Sequence, residues 1–367
     1  MSDPRLTPLV AGLPATVPFV GPETQERALG QGFVARIGAN ESVFGPSPHV
    51  QEAIANSASE AWMYGDPEAH ELRQVLAAHH SVPAEAIMVG EGIDGLLGNL
   101  VRLLIAPGDA VVTSDGAYPT FNYHVVGFGG DLHKVPYRDD HEDPEALLTQ
   151  ARETGAKLLY LSNPDNPMGS WIAAERISAM IEAMPKGALL ILDEAYCDTA
   201  PAEAIPPLNT ENARVIRMRT FSKAYGLAGM RVGYAIGHPD LIAAFHRVRN
   251  HFGMGRVSQA AALAALRDQD HLARVVSQIE AARRRIAEIG AENALTALPS
   301  ATNFVALDCG RDGAFARALV TALAERGVFV RMPFSPPQDR CIRVSCGTKD
   351  QLDHLARVLP QALSAIR

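Results

Sequence analysis

The stretch RTFSKAYGLAGMRVGYAIG, residues 219–237, sets a single lysine among glycines and small apolar residues. Lys223 stands between Ser222 and Ala224, and Arg231 follows eight positions later. The glycines after the lysine read as a tight turn. That turn is bracketed by two apolar runs, RVIRMRT (214–220) and RVGYAIG (231–237), which read as strands. Ligands of open α/β sheets bind at the carboxyl ends of the strands, so an amine in this position invites a search of the other strand ends.

Working outward, four more short apolar runs read as strands: AIMVG (86–90), AVVTS (110–114), KLLYLS (157–162) and ALLILD (188–193). Helical patterns lie between several of them, such as DGLLGNLVRLLI (94–105) and AAERISAMIEAM (173–184). This alternation predicts an α/β domain with a mostly parallel sheet, most of its strands apolar throughout as expected where both faces are covered. From about residue 239 the pattern turns helical. Three strand candidates follow, NFVALD (303–308), GVFVRM (327–332) and CIRVSCG (341–347), and an amphipathic helix closes the chain. The expected organisation is an extended N-terminal arm over 1–35, a large α/β domain over 36–250 and a smaller α+β domain over 251–367.

The 367-residue chain is long enough for two cores. Its net charge of -8 argues against a nucleic-acid or anionic-membrane partner, since both need concentrated positive charge. The four cysteines show neither a CxxC pair nor a metal-ligand spacing, and read as free thiols in a reducing compartment. The proline-broken N-terminus lacks the basic start and apolar stretch of a signal peptide, and no apolar run reaches the ~18 residues of a membrane helix. A soluble cytoplasmic protein is expected.

The strand ends carry reactive groups. LSNPDNPMGS (161–170) follows one strand; alone it is a polar turn. LDEAYCD (192–198) ends the next with Asp193, Glu194 and Tyr196. A carboxylate there needs a cationic or donor partner, whether structural or functional. Lys223 ends the strand after that. Desolvation or a nearby cation lowers a lysine pKa, and the neutral amine is a nucleophile able to form a Schiff base.

Together these form an ordered set: N-P-x-G, then D-x-A-Y, then S-K with an arginine eight residues on. The chain resembles the fold-type I pyridoxal-phosphate (PLP) enzymes, specifically the class I/II aminotransferases. It is most similar to the histidinol-phosphate aminotransferase branch, whose T-x-S-K-A-x-x-L-A-G-x-R-x-G segment it matches from Thr220 to Gly233. The resemblance extends from ANESVFGPSP (39–48) to IRVSCGT (342–348).

The resemblance implies a role for each position. Lys223 forms the Schiff base with PLP and moves the substrate proton; Asp193 pairs with the pyridine nitrogen. Asn166 and Tyr196 bind the ring's 3-hydroxyl oxygen, and Tyr118 stacks on the ring. The phosphate sits on the turn GEGIDG (90–95), through Gly92, Ile93 and Asp94 at a helix N-terminus. Thr220, Ser222 and Arg231 complete that cradle, joined by Tyr64 of a partner subunit in a homodimer with shared active sites. Arg343 binds the substrate carboxylate or its equivalent, Arg331 a substrate phosphate, and Asn40 and Glu41 line the entrance. The chain departs from the branch pattern at Ser42 and Val43, at Asp165 and Met168, and at Ile93 and Gly95; several of these lie near the substrate.

The implied activity is transfer of an amino group from a small-molecule donor to a 2-oxo acid such as 2-oxoglutarate. The donor is histidinol phosphate, an aromatic amino acid or a related amine. A decarboxylase of a phosphorylated amino acid on the same scaffold is the alternative, the two differing in which Cα bond stands perpendicular to the ring. A non-catalytic PLP-binding regulator is a third reading, disfavoured by the acidic balance and the lack of a DNA-binding segment.

Overall fold

The computed structural model describes residues 5–15 and 20–366. Seven strands form the main sheet, in the order β2-β8-β7-β6-β5-β3-β4. They are β2 (Ile87–Gly90), β3 (Ala110–Ser114), β4 (Asp131–Val135), β5 (Leu158–Ser162), β6 (Leu189–Asp193), β7 (Val215–Thr220) and β8 (Gly233–Ile236). Neighbours from β4 to β7 pair in parallel, whereas β8 runs antiparallel to β7 and to β2. Every residue of β5, β6 and β7 is buried except for traces, as strands covered on both faces require.

Side chains alternate across the sheet. Leu158, Tyr160, Leu189 and Ile191 join the core beneath helices Gly92–Leu104 and Pro119–Gly127, whereas Leu159, Leu161, Leu190 and Leu192 pack under Pro144–Thr154 and Ala174–Glu182. Asp193 therefore shares a face with Ile191, and Glu194 is free to turn the other way.

The second core is built on the antiparallel sheet β12-β10-β9, made of β9 (Thr296–Ala297), β10 (Phe304–Asp308) and β12 (Cys341–Ser345). The long helix Gln269–Glu292 and helices Gly313–Ala324 and Lys349–Ala365 cover it. A two-residue parallel pair, β1 (Ala35–Arg36) with β11 (Val328–Phe329), packs into the same core. Helix Arg256–Arg267 packs instead with Tyr225, Tyr234 and helix His70–His80, on the main-sheet side.

Two expectations need correction. The arm is not extended throughout: Pro22–Leu29 is helical, with Pro22 in its first turn, Gly30 left-handed at its end, and Glu23 and Glu26 paired with Arg36. The strand over 327–332 is shorter than read; only Val328 and Phe329 pair with β1, and Arg331 makes an isolated bridge to Arg343. Strand β4 was invisible to hydrophobic patterning because it is a half-exposed edge of sequence DLHKV.

Candidate active site

The carboxyl ends of β5, β6 and β7 deliver their groups into one cleft. A floor pocket of about 100 Å³ is lined by Ile93, Asp94, Tyr118, Ser162, Asn166, Asp193, Ala195, Tyr196, Thr220, Ser222, Lys223 and Arg231. It adjoins a cleft of about 520 Å³ that adds Asn40, Tyr123, Arg331, Phe334 and Arg343. Of the residues read from the sequence, Tyr64 alone stands well outside. It is 77% exposed and packs on Phe252, ring centroids 4.9 Å apart.

Lys223 sits in the expected tight turn, where Gly226 N–H donates to Lys223 O at 2.9 Å. Gly226 has φ +71°, and a Cβ there would lie 2.6 Å from the Gly45 backbone, so this position needs glycine. The Lys223 amine donates to Asn40 O at 3.3 Å and lies 5.4 Å from the Tyr196 ring centroid. It forms no ion pair among the described residues. Burial, then the Arg343 charge, lowers its pKa to about 8.

Asp193 is buried, and its partners are donors, not cations. Tyr160 O–H donates to Oδ2 at 2.5 Å and Ala195 N–H to Oδ1 at 2.9 Å. Burial raises its pKa to about 6. The arginines go to its neighbour: Arg217 and Arg219 both pair with buried Glu194.

Asn40, left-handed at φ +58°, ties the arm to both cores. Its Nδ2 donates to Tyr196 Oη at 3.0 Å, and its Oδ1 accepts from Ser345 Oγ at 2.9 Å. Burial raises the Tyr196 pKa further above its ordinary value. On the opposite wall Arg343 donates to Asn166 Oδ1 at 2.6 Å, while its Nε is buried without a partner. Burial lowers its pKa to about 10. Arg331 and Arg343 exchange backbone hydrogen bonds, and Arg331 reaches Val20 O at 3.0 Å.

The far end of the floor is a cup. Gly92, at φ +73°, opens the helix, and a Cβ on it would come within 2.5 Å of Arg231 Nη2. Gly233, facing Gly90 across the sheet, would place a Cβ 2.8 Å from the Gly92 carbonyl carbon, so two glycines let strand and turn close together. Arg231 donates to Ser222 Oγ at 3.3 Å, and Thr220 Oγ1 accepts from Ser222 N–H at 3.1 Å. Asp94 turns its carboxylate to His124 Nε2, 2.9 Å away, leaving its backbone to the cup.

These features fit PLP. The cup offers backbone N–H groups, hydroxyls and a guanidinium to a phosphate. The buried carboxylate suits a protonated ring nitrogen, and an amine that forms no ion pair among the described residues is available to an aldehyde. Sequence reading missed Tyr160, Ser162, Ser345 and Asn303, whose Nδ2 donates to Asn40 O at 2.9 Å. Nothing in their local sequence signals these contacts, which follow from register and chain crossing.

The chain matches the family model Aminotransferase class I and II over residues 34–359 and belongs to that family. It is 36% identical over 336 residues to histidinol-phosphate aminotransferase 1 of Mesorhizobium japonicum, covering 90% of each chain. The protein of the same name from Bacillus thuringiensis subsp. konkukian is 34% identical over 357 residues, 96% of this chain and 95% of that one. The crystal structure of histidinol-phosphate aminotransferase from Sinorhizobium meliloti in complex with pyridoxal-5'-phosphate superposes with a TM-score of 0.97. That chain is 52% identical, with 100% of this chain and 99% of that one covered. The fold-type I architecture and the expected PLP-dependent transaminase are borne out, and the decarboxylase alternative is not favoured. Among the described residues no helix is long and apolar enough to cross a membrane.

Proposed function

We propose that this chain transaminates a phosphorylated amino donor of the histidinol-phosphate kind, with a 2-oxo acid such as 2-oxoglutarate as acceptor. The observation that carries this reading is the pair Arg331 and Arg343. They sit side by side on the wall of the cleft that holds Lys223, and neither is paired with a carboxylate among the described residues. Two cations on one wall suit a donor with an anionic group beyond its reacting carbon. The histidinol-phosphate aminotransferase relatives support the same donor.

PLP, when bound, supplies a ring that draws off the electron pair left at the donor's Cα. Asp193 would hold the proton on the ring nitrogen, and Asn166 and Tyr196 the 3-hydroxyl oxygen. Tyr118 would pack on the ring. Gly92, Ile93, Asp94, Thr220, Ser222 and Arg231 would hold the phosphate. Lys223 Nζ would be the base that takes the Cα proton. Arg343 orients the acceptor carboxylate, and Asn40 closes the entrance from the arm side.

The working form is a cytoplasmic homodimer. In it the partner's Tyr64 completes the phosphate cup, in keeping with the exposure of Tyr64, Trp62 and Phe252 on this chain. A solution mass of a single chain contradicts this part of the reading.

The test is a donor screen with 2-oxoglutarate, read as glutamate formed. Arg331→Ala should lower kcat/KM for phosphorylated donors by about 10²-fold and leave unphosphorylated donors within about threefold. Equal losses for both classes remove Arg331 from the phosphate role.

A further inference from the structure

The hydroxyl on Asp193 has no part in the scheme above, and it comes from a residue outside the cleft. Tyr160 lies on β5 and is fully buried. The register pairs Ser162 with Asp193 and Tyr160 with Ile191, so Tyr160 is the diagonal neighbour of Asp193 on the same face. Its ring stacks on Phe121, centroids 4.8 Å apart and planes 16° apart, which fixes where its hydroxyl points.

We propose that Tyr160 is a positioning residue: its O–H holds Asp193 as a carboxylate aimed at the cofactor's ring nitrogen, and so keeps the shared proton on the ring. The proposal rests on the assignment of Asp193 to that nitrogen.

A buried tyrosine needs an acceptor, and a neutral carbonyl would serve. Here the acceptor is a buried carboxylate that, among the described residues, has no cation within ion-pair distance. Burial drives such a group toward its neutral acid. The nearby charges do not settle the matter: Lys223 favours the carboxylate, whereas Glu194 disfavours it, and the charge of Asp193 in turn raises the pKa of buried Glu142. The phenols of Tyr118 and Tyr196 face the same pocket. Among the described residues, Tyr160 O–H is the one side-chain hydrogen bond to Asp193. With Ala195 N–H on the other oxygen, it fixes the plane of the carboxylate. A hydrogen bond donated to a charged acceptor favours its charged form, and so biases a shared proton toward the other partner.

The test uses the holoenzyme carrying PLP labelled with ¹⁵N in the ring. Tyr160→Phe keeps the shape and the stack on Phe121 and removes only the hydroxyl. Its ring ¹⁵N resonance should move toward the neutral-pyridine position, and kcat should fall about tenfold with the donor KM little changed. Placing 3,5-difluorotyrosine at position 160, a stronger donor, should move the resonance the opposite way. An unmoved resonance in Tyr160→Phe overturns the proposal; should that variant not fold, an unmoved resonance in the difluorotyrosine chain does so. Asp193→Asn separates the two levels. If it too leaves the resonance in place, the assignment of Asp193 has failed; if it moves the resonance and Tyr160→Phe does not, only the role of Tyr160 has failed.

Discussion

Lys223→Ala will lower transamination by about 10³-fold or more and remove the absorbance of the lysine Schiff base with PLP. Three observations carry this expectation. The amine ends β7 in a turn that only glycine at 226 can close. It faces a pocket shared with Asp193 and Arg231, the groups proposed for the two ends of the cofactor. Its pKa of about 8 leaves it far more nucleophilic near neutrality than an ordinary lysine. The sign of the pH effect follows. Neutral amine accumulates as pH rises, so cofactor capture by the apoprotein should accelerate with pH and level off above about 8. A rise continuing to the ordinary lysine range would show that burial does not set this amine. Spectral titration of the native chain and turnover of the variant check both points.

Arg343→Met should separate function from stability. Arg343 is buried on β12, with one side-chain hydrogen bond to Asn166, a Phe304 ring 5.1 Å away and an unpartnered Nε. Without an anion to bind, it is a desolvated charge with no ion-pair partner among the described residues. Replacement by a side chain of similar length and no charge should raise stability by about 1 kcal/mol, or about 1–2 °C in Tm for a chain of this length. The same change should lower kcat/KM for 2-oxoglutarate by about 10²- to 10³-fold, since the carboxylate loses a desolvated guanidinium. Calorimetry and steady-state kinetics on one preparation check both arms. A destabilised variant with intact kcat/KM would make Arg343 structural.

Legibility in the sequence followed chemistry and burial. Asn166 and Asp193 lie at or just beyond the end of strands that are apolar up to their last residue, where a polar residue stands out, and Lys223 follows β7 in a run of small residues; the order of the three along the chain matches the order β5, β6, β7 across the sheet. The fold was legible for the same reason, because strands covered on both faces write themselves as apolar runs. Strand β4 has one side open to solvent and a polar sequence, so it left no such run. Helix Pro22–Leu29 was hidden by its polar composition among prolines and glycines, although its Pro and Gly ends are helix signals. Tyr160 could not be seen as part of the site. In KLLYLS it is one more apolar-run residue, and only the pairing of Ser162 with Asp193 brings its hydroxyl to the carboxylate. The position of Asp193 calls for a cationic or donor partner; it has donors, while Arg217 and Arg219 satisfy Glu194 on the opposite face.

The central claim, that the amine of Lys223 holds the cofactor, is tested most directly by reducing the PLP-loaded protein with borohydride and mapping the modified peptide. One pyridoxyl group per chain on the peptide spanning residue 223, absent from Lys223→Ala, is the result this account predicts. A pyridoxyl group on any other lysine, with Lys223 recovered unmodified, would contradict it.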